Sequence, residues 1–363
     1  FCLSRGLGDV YKRQTQHRTV HPVTGSTRAV QTALMVPIMT LKAAAPVTWV
    51  AIVANLLGMT QLSWVAIAVA FAIFCTPLGR LPIGALGARA IRGRLAPGEY
   101  RRGGRTHLRL WAADKWLAAS GATNISGAPL NTVTARLLGN RVGKGVDMHT
   151  LPPVSGLATI GAGAAIEPGV NLDGYWLDGD VLRVGRVDVG ADVIVGARST
   201  LMPGTEVRDG AIIDPGSTVT GTKPVKQRWA GSPAHKVGKA KDEFPDHQLP
   251  RGRAWHAAFA LVSLMIGAVP VVAVGVGVSV AKLWLPLGGL AYLACGLVLT
   301  WAGVRLAQLP IREGTFPMRS APGLGLWAVT RLLDDARTRF FPIYASLLLS
   351  LIHISEPTRQ AEI

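Results

Sequence analysis

His149 and Asp147 are the residues of this chain whose types and spacing suit proton transfer. They lie two positions apart, so in a β-strand their side chains project to one face while Met148 projects to the other. A carboxylate beside an imidazole can orient the ring and raise its basicity, as in a general base that takes a proton from an attacking amine. A histidine beside an apolar strand residue is also common on a surface without chemistry, and both interpretations stay open. His107 and His235 are weaker candidates, because each lies in a basic flank where solvation explains it.

The element that carries this pair is predicted by an apolar residue at every sixth position. The two runs are Val142, Met148, Val154, Ile160, Ile166 and Leu172, then Val189, Val195, Leu201, Val207, Ile213 and Val219. The fourth residue of many steps is Gly, which suits a left-handed turn. A repeat this short cannot bury its own apolar face, so the hexads must stack into triangular coils around one column. Residues 142–222 therefore resemble the left-handed parallel β-helix of hexapeptide-repeat acyltransferases, with about four coils, and the resemblance implies a histidine base.

A break between the two runs, residues 173–188, is a second candidate site. Its acids and aromatics are Asp173, Tyr175, Trp176, Asp178 and Asp180. Loops that leave a β-helix often wall a substrate cleft, and these side chains would bind a cationic amino-acid substrate. The alternative is a glycine-turn hairpin whose aromatic rings pack on the coil.

The segment after the last coil, residues 223–254, forms the predicted tail of the soluble domain. Gly231-Ser232-Pro233-Ala234 resembles the Gly-x-Pro-Ala segment that closes the β-helix in sugar and serine acetyltransferases. The resemblance implies that Gly231, Pro233 and Lys236 lie near a pantetheine arm. The basic residues of the tail would meet its phosphate, although a basic membrane-facing tail explains them equally well.

The composition is that of a membrane-associated chain, with 49% hydrophobic and 16% charged residues and a formal charge of +17. Two pairs of apolar stretches predict transmembrane hairpins at residues 43–79 and 255–305, the first after a linker at residues 15–42. A buried helical hairpin or a re-entrant pair is the alternative for the first. Cys75 and Cys295 lie in apolar runs, so we expect reduced structural thiols, with neither a disulfide framework nor a metal site.

Residues 80–141 read as a basic linker followed by an amphipathic helix near 107–119. Eight arginines lie between Arg80 and Arg109 against the single acid Glu99, which predicts a cytoplasmic flank and a cytoplasmic β-helix at the membrane. Because these arginines cluster at the membrane edge, a nucleic-acid partner is not expected. The helix either lies in the headgroup layer or caps the soluble domain.

A longer internal repeat has an offset of 216 residues. Gly98, Leu108, Leu110, Trp111, Ala112, Lys115 and Leu117 recur as Gly314, Leu324, Leu326, Trp327, Ala328, Arg331 and Leu333. Residues 306–348 are therefore expected to begin a second unit. Residues 1–14 and 349–363 resemble a translated sequencing adapter, because codons for Asp9 to Gln14 can be chosen whose reverse complement encodes Leu349 to Ile354. We expect an interior piece of a longer protein between them.

This layout of hairpin, basic linker, helix and β-helix resembles the C-terminal membrane region of the ε-poly-lysine synthetase type of nonribosomal peptide synthetase. The resemblance implies amide bond formation between amino acids delivered as phosphopantetheine thioesters on a carrier domain. It also implies upstream adenylation and thiolation domains, membrane lipid, and neighbouring tandem β-helix domains or a homo-oligomer as partners. Two alternatives stay open: a catalytically inert scaffold or export platform, and a stand-alone membrane-anchored acetyltransferase using acetyl-CoA.

Overall fold

A computed structural model describes residues 21–121, 128–221, 223–240, 253–314, 316 and 320–339. The chain divides into two compact units, residues 1–47 with 69–241 and residues 48–68 with 242–363. The segments 1–14 and 349–363, predicted to be artefacts, lie outside the described residues, as do parts of the predicted tail and of the second repeat.

The strands of the first unit are short, as a six-residue repeat requires. They are β1 (Gly98–Arg101), β2 (Arg141–Val142), β3 (Asp147–Met148), β4 (Ala158–Ile160), β5 (Ala165–Ile166), β6 (Tyr175–Asp178), β7 (Val181–Val184), β8 (Val187–Val189), β9 (Ile194–Val195), β10 (Thr200–Leu201), β11 (Glu206–Val207), β12 (Ile212–Ile213), β13 (Thr218–Val219), β14 (Arg228–Ala230) and β15 (His235–Gly238).

Three parallel ladders confirm the predicted parallel β-helix. One ladder has the order β11-β8-β4-β2, a second β14-β12-β9-β5-β3, and the third pairs β10 with β13 and Asn171 with Thr200. Val225 pairs with Val207, and Trp229 pairs with Ile213. The solenoid therefore has about five turns rather than four, because the chain continues the ladders beyond the last hexad that the apolar pattern marks.

The core of the solenoid is the column of predicted apolar residues. Eleven of the twelve are buried, and ten of these form one cluster, against which Val142 on the first turn is partly buried. Val154 departs from the prediction, because it packs instead with Leu81 and Ala85 of the helix Pro77–Arg92. The six glycines at the fourth hexad position all have a positive φ, for example +72° at Gly163 and +70° at Gly216. The same corner holds Asp192 and Arg198 at φ +52° and +59°, a conformation that disfavours residues with a Cβ atom.

A helix closes the first turn. α5 (Ala128–Leu137) packs against β2 and β3, where an open parallel ladder would expose unpaired backbone groups. Arg136 donates hydrogen bonds to the carbonyl oxygens of Val142 and Gly143 at 3.2 and 2.9 Å. These contacts protect the edge of the ladder next to His149.

The insertion at residues 173–188 is a β-hairpin. β6 and β7 pair antiparallel, and β1 adds to β7 as a third strand. Leu182 and Val184 of β7 are buried against Leu110 of α4 (Arg105–Ala119), and Tyr175 packs on the same group. The hairpin is thus part of a small second core.

α4 packs within the domain, which favours the capping interpretation of the amphipathic helix. Its Leu117 and Trp116 contact Leu81 and Ala85 of α3 (Pro77–Arg92). The indole Nε1 of Trp116 donates to the carbonyl oxygen of Ile83 at 3.0 Å. α4 thus packs within the domain through its apolar residues, as a capping helix does, while Arg105, Arg109 and Lys115 are exposed.

Three arginines of the predicted basic linker bind the carbonyl ends of helices. Arg80 donates to Ser120 at 2.8 Å and Arg89 to Leu137 at 3.4 Å. Arg92 donates to Val154 and Leu138 at 2.9 and 3.2 Å. A positive charge is favourable at a helix C-terminus because the unpaired carbonyls carry partial negative charge, so these arginines also join α3 to the solenoid.

Among the residues that the structure describes, three helices are long and apolar enough to cross a membrane: α1 (Gly25–Leu56), α6 (Arg253–Ala281) over Ala257–Ala281, and α7 (Leu285–Gln308). The predicted linker at 15–42 is wrong from Gly25 onward, because residues 30–41 are mostly apolar and extend the helix. The second stretch of the first pair is also shorter than predicted. α2 (Trp64–Phe74) ends before Thr76, and the axis bends by 56° into α3. Pro77 explains the break, since a residue before proline avoids the helical conformation.

In the second unit, α6 and α7 pack together and α8 (Ala321–Arg339) packs on α7. Trp327 of α8 meets Phe259 of α6 edge to face, with ring centroids 5.0 Å apart. α8 and α4, which correspond in the 216-residue repeat, differ in burial. Leu326 and Leu333 of α8 are exposed, whereas the equivalent Leu110 and Leu117 of α4 are buried.

Candidate functional site

The candidate site is the His149–Asp147 pair on the first turn of the solenoid. Asp147 lies on β3 and His149 directly follows it, and Nε2 of the ring lies 3.2 Å from Oδ2 of the carboxylate. Each side chain is 27% exposed, so the pair is held by its surroundings yet open to a substrate. The same-face placement expected from strand alternation is therefore present, while the catalytic role stays a prediction.

The hydrogen bond assigns different tasks to the two ring nitrogens. With Nε2–H donating to Asp147, Nδ1 carries the lone pair, and within the described part of the chain Nδ1 has no hydrogen-bond partner. The hydrogen bond from Asp147 raises the pKa of His149, burial opposes it, and the charges of Asp147 and Glu167 reinforce the increase. The ring is thus a stronger base than a free histidine.

The backbone around His149 is fixed by residues that the sequence interpretation missed. Asn131 of α5, which is buried, donates from Nδ2 to the carbonyl oxygens of Met148 and Thr150 at 2.9 and 3.1 Å. Thr150 donates from Oγ1 to Val170 at 2.6 Å. No sequence signal pointed to Asn131, because its partners are reached only once the helix lies over the first turn.

Glu167 is the second residue that the sequence interpretation missed, although the hexad spacing contained a signal for it. Met148 pairs with Ile166, so His149 and Glu167 follow at equivalent positions of neighbouring strands. They are three hexads apart in the sequence. Since three hexads make one turn, residues at that separation are direct neighbours in the solenoid, and the hexad repeat alone could have predicted the contact.

The acids of the hairpin are engaged within the chain. Asp178 lies 3.5 Å from Arg183, and Arg183 lies 3.3 Å from Glu99 of β1. Asp180 accepts a hydrogen bond from the His21 ring, and that bond lowers the pKa of Asp180. Two of the three predicted counter-charges for a cationic substrate therefore already have partners within the chain.

Asp173 and Tyr175 occupy the base of the hairpin. Burial raises the pKa of Asp173, and the nearby Asp114 adds to the increase. Burial also raises the pKa of the Tyr175 hydroxyl, with Asp173 and Asp114 contributing. Trp176 remains 46% exposed. Both interpretations of the insertion are thus partly realised: Tyr175 packs in the core, while Trp176 stands on the surface.

The predicted pantetheine-binding segment closes the solenoid. Gly231 accepts from Thr218 N–H at 2.9 Å and donates to Ser217 Oγ at 3.2 Å. Pro233 follows a cis peptide bond, and exposed Lys236 lies on β15, antiparallel to β14. The backbone groups of Gly231 are used inside the solenoid, so Lys236 is the member of this set that can meet a phosphate.

The structure does not bring this segment to His149. In the sheet order β15-β14-β12-β9-β5-β3, the two lie at opposite edges, five strand steps apart. At about 4.8 Å per step, the separation is about 24 Å along the solenoid axis. A reactant that uses both ends must therefore extend along the axis, or the two ends belong to different sites.

The weaker histidines differ from His149 in their surroundings. Gly103 N–H donates to Nδ1 of His107 at 2.9 Å, just before α4 begins. Burial and the charge of Arg102 lower the pKa of His107, which fits a neutral ring that accepts this bond. His235 is exposed on β15. In the described ranges, no three His, Cys, Asp or Glu side chains lie close enough together to hold a metal ion.

Comparisons with known proteins give one sequence relative and a group of solved structures. No protein-family model matches the chain. The Delta-poly-L-ornithine synthetase of Acinetobacter baumannii (strain AB307-0294) is 30% identical over 113 residues, which cover 30% of this chain and 8% of that protein. The chain thus matches only a small part of the length of that relative.

Two solved structures are similar to part of the chain. A maltose O-acetyltransferase from Clostridium difficile 630 has 17% identity and a TM-score of 0.24, covering 31% of this chain and 75% of that chain. A hexapeptide-repeat-containing acetyltransferase from Vibrio cholerae has 17% identity and a TM-score of 0.25, covering 32% of this chain and 82% of that chain.

Proposed function

We propose that this chain is a membrane-attached, amide-bond-forming part of a poly-amino-acid synthetase. The observation that carries the proposal is the partly exposed His149–Asp147 pair, with its 3.2 Å contact and an available Nδ1. The partial match to a poly-ornithine synthetase supports a thioester-derived amino acid as the acyl group.

The proposed step is aminolysis of a thioester. His149 Nδ1 takes a proton from the amine as its nitrogen attacks the thioester carbonyl. The C–N bond forms, the C–S bond breaks, and the imidazolium returns the proton to the departing thiolate. Asp147 holds the ring and stabilises its charged form through the Nε2–H hydrogen bond. The net products are an amide and a thiol.

The acyl donor in this proposal is a phosphopantetheine thioester on a carrier domain, and acetyl-CoA is the alternative. Of the predicted tail residues, Lys236 would meet a phosphate, since its side chain is exposed. Trp176 and Asp173 remain candidates for the amino-acid side chain. The proposed partners are adenylation and thiolation domains, membrane lipid, and a neighbouring β-helix domain or a second copy.

The proposal is tested with the full chain in lipid nanodiscs. Wild-type protein receives an ornithyl- or lysyl-pantetheine thioester and free diamino acid, with amide measured by mass spectrometry and thiol by a colorimetric reagent. We expect His149→Gln to lower the rate by about 10² to 10⁴-fold, and Asp147→Asn to lower it less. Glu206→Gln, on another sheet of the solenoid and paired with Arg208, is the matched control.

Each outcome selects among the candidate functions. Equal amide formation by wild type and His149→Gln would refute the general base. Turnover of acetyl-CoA alone would favour the anchored acetyltransferase. A chain that binds a carrier domain but forms no amide would favour the inert platform.

We also propose that the solenoid lies on the cytoplasmic side of the cytoplasmic membrane, in a multi-pass protein. Arg94, Arg101, Arg105 and Arg109 are exposed next to the bent helix pair, and short basic flanks stay in the cytoplasm. The test introduces Glu206→Cys into a chain in which Cys2, Cys75 and Cys295 have been replaced. Labelling by an impermeant maleimide only after the cells are permeabilised is expected, whereas labelling of intact cells would place the solenoid outside.

A further inference from the structure

Glu167 lies beside His149 on the next turn of the solenoid. The ladder between β3 and β5 pairs Met148 with Ile166, and His149 N–H donates to the Ile166 carbonyl at 2.9 Å. Glu167 N–H continues the ladder by donating to Val195 at 3.0 Å. Neighbouring strands are about 4.8 Å apart, so the imidazole and the Glu167 carboxyl group leave adjacent strands at the same register.

The carboxyl group of Glu167 is held in place by the turn above it. Its Oε2 accepts a hydrogen bond of 2.7 Å from the backbone N–H of Ala197. A short bond to a backbone donor fixes a flexible glutamate side chain. Glu167 is also half-buried, unlike Glu206, which points from another sheet to solvent and pairs with Arg208 at 2.9 Å.

The charged groups around the ring come from three elements. Asp147 belongs to the same strand as the ring, at 3.2 Å, and Glu167 belongs to the next. On the helix that covers this turn, Arg136 directs its guanidinium to the carbonyl oxygens of Val142 and Gly143. Two carboxylates therefore act on the ring, and their charges both raise the pKa of His149.

We propose that Glu167 is a positioning residue for His149: a second carboxylate, anchored by the Ala197 amide, that stabilises the imidazolium formed when the ring takes a proton. This inference depends on the proposed function for its catalytic consequence. The effect of Glu167 on the titration of the ring does not depend on the proposed function, because the titration can be measured without turnover.

The decisive variant is Glu167→Gln in the full chain in nanodiscs. The glutamine amide oxygen can still accept from Ala197 N–H, so the variant removes the negative charge but keeps the anchor. We expect the pKa of His149, followed by NMR of histidine-labelled protein, to fall by about half a unit or more. The acid limb of kcat/KM should move down in pH by the same amount, and the plateau rate should fall several-fold.

Two further variants separate charge from structure. Glu167→Asp keeps the charge, so His149 should retain most of its raised pKa in this variant. If Glu167→Gln fails to fold, the comparison of Glu167→Asp with Glu167→Ala still tests the effect of the charge. Glu206→Gln should leave the His149 titration unchanged. An unchanged His149 pKa in Glu167→Gln, or equal values in Glu167→Asp and Glu167→Ala, would overturn the positioning role.

Failure of this inference and failure of the proposed function give different results. If His149→Gln abolishes amide formation but Glu167→Gln changes neither the titration nor the acid limb, only the role of Glu167 is wrong. If His149→Gln retains full activity, the catalytic proposal is wrong. The NMR titration would then still decide whether Glu167 acts on the ring.

Discussion

The side-chain amide of Asn131 donates a 2.9 Å hydrogen bond to the carbonyl oxygen of Met148, the residue that precedes His149. The same nitrogen also bonds to the carbonyl on the other side of His149, that of Thr150, at 3.1 Å. A buried asparagine on α5 thus holds the backbone of the candidate base from both sides. The helix that closes the solenoid is therefore also a support for the site.

Asn131→Leu should loosen the first turn. The substitution keeps the number and branching of the side-chain heavy atoms but leaves two buried carbonyl groups without this donor, at a cost of about 1–3 kcal/mol. We expect faster hydrogen exchange over residues 142–154 in the full chain and a lower rate of amide formation. Val133→Ala, at an exposed position of the same helix, should change neither, and equal exchange in the two variants would contradict the supporting role.

The raised pKa of His149 predicts a pH-dependent stability. The Asp147 hydrogen bond and the Glu167 charge favour the protonated ring. They therefore stabilise the fold fully below the ordinary pKa of about 6.5, and the contribution is lost as the pH rises through the raised pKa.

This is measured by comparing wild type with His149→Gln in denaturant unfolding at pH 5.5 and pH 9. The free energy of unfolding of the wild type should exceed that of the variant by more at pH 5.5 than at pH 9. A constant difference, or one that grows with pH, would show that the ring is not held in its charged form.

Two substitutions at the same corner of successive solenoid turns are predicted to have opposite effects on stability. Arg198, at φ +59°, follows Gly169 and precedes Gly216 in successive turns. Arg198→Gly should raise the free energy of unfolding by about 1 kcal/mol, because a residue with a Cβ atom is disfavoured in this conformation. Gly216→Ala should lower it by about the same amount through backbone conformation alone, since no heavy atom lies within 4 Å of the added Cβ.

Thermal unfolding of the variants measures these effects. Ala162→Gly, at an exposed turn position without a positive φ, controls for the general cost of adding glycine and should be destabilising. Stabilisation by all glycine substitutions, or by none, would contradict the corner interpretation.

The hairpin of α6 and α7 depends on glycine at its contact. A Cβ atom at Gly288 would lie 2.3 Å from the Cβ of Ala281 and 2.7 Å from the Gly277 carbonyl oxygen. Gly288→Val should therefore separate the helices and cost about 1–3 kcal/mol. The adjacent Gly289 has open space around it, so Gly289→Val should be tolerated. Thermal stability in detergent, followed by size-exclusion chromatography, distinguishes the two variants.

The sequence by itself determined the solenoid and the placement of His149 beside Asp147. The hexad repeat is local, and ten of the twelve apolar residues are buried in one column, so periodicity was sufficient for the fold. Val154 is the exception, because it packs against helices that the repeat does not predict. Strand alternation placed the two side chains on one face for the same reason. It also determined the long apolar helices, although the boundary at Gly25 and the bend at Pro77 needed the surrounding structure.

Only the tertiary structure decided what surrounds the pair and what occupies the hairpin. Asn131 reaches the backbone beside His149 from a separate helix, and the acid Asp180 meets His21 from a distant part of the chain. Long-range polar partners such as these leave no periodic signal. The same holds for the distance of about 24 Å between His149 and the tail, because it accumulates strand by strand along the solenoid axis.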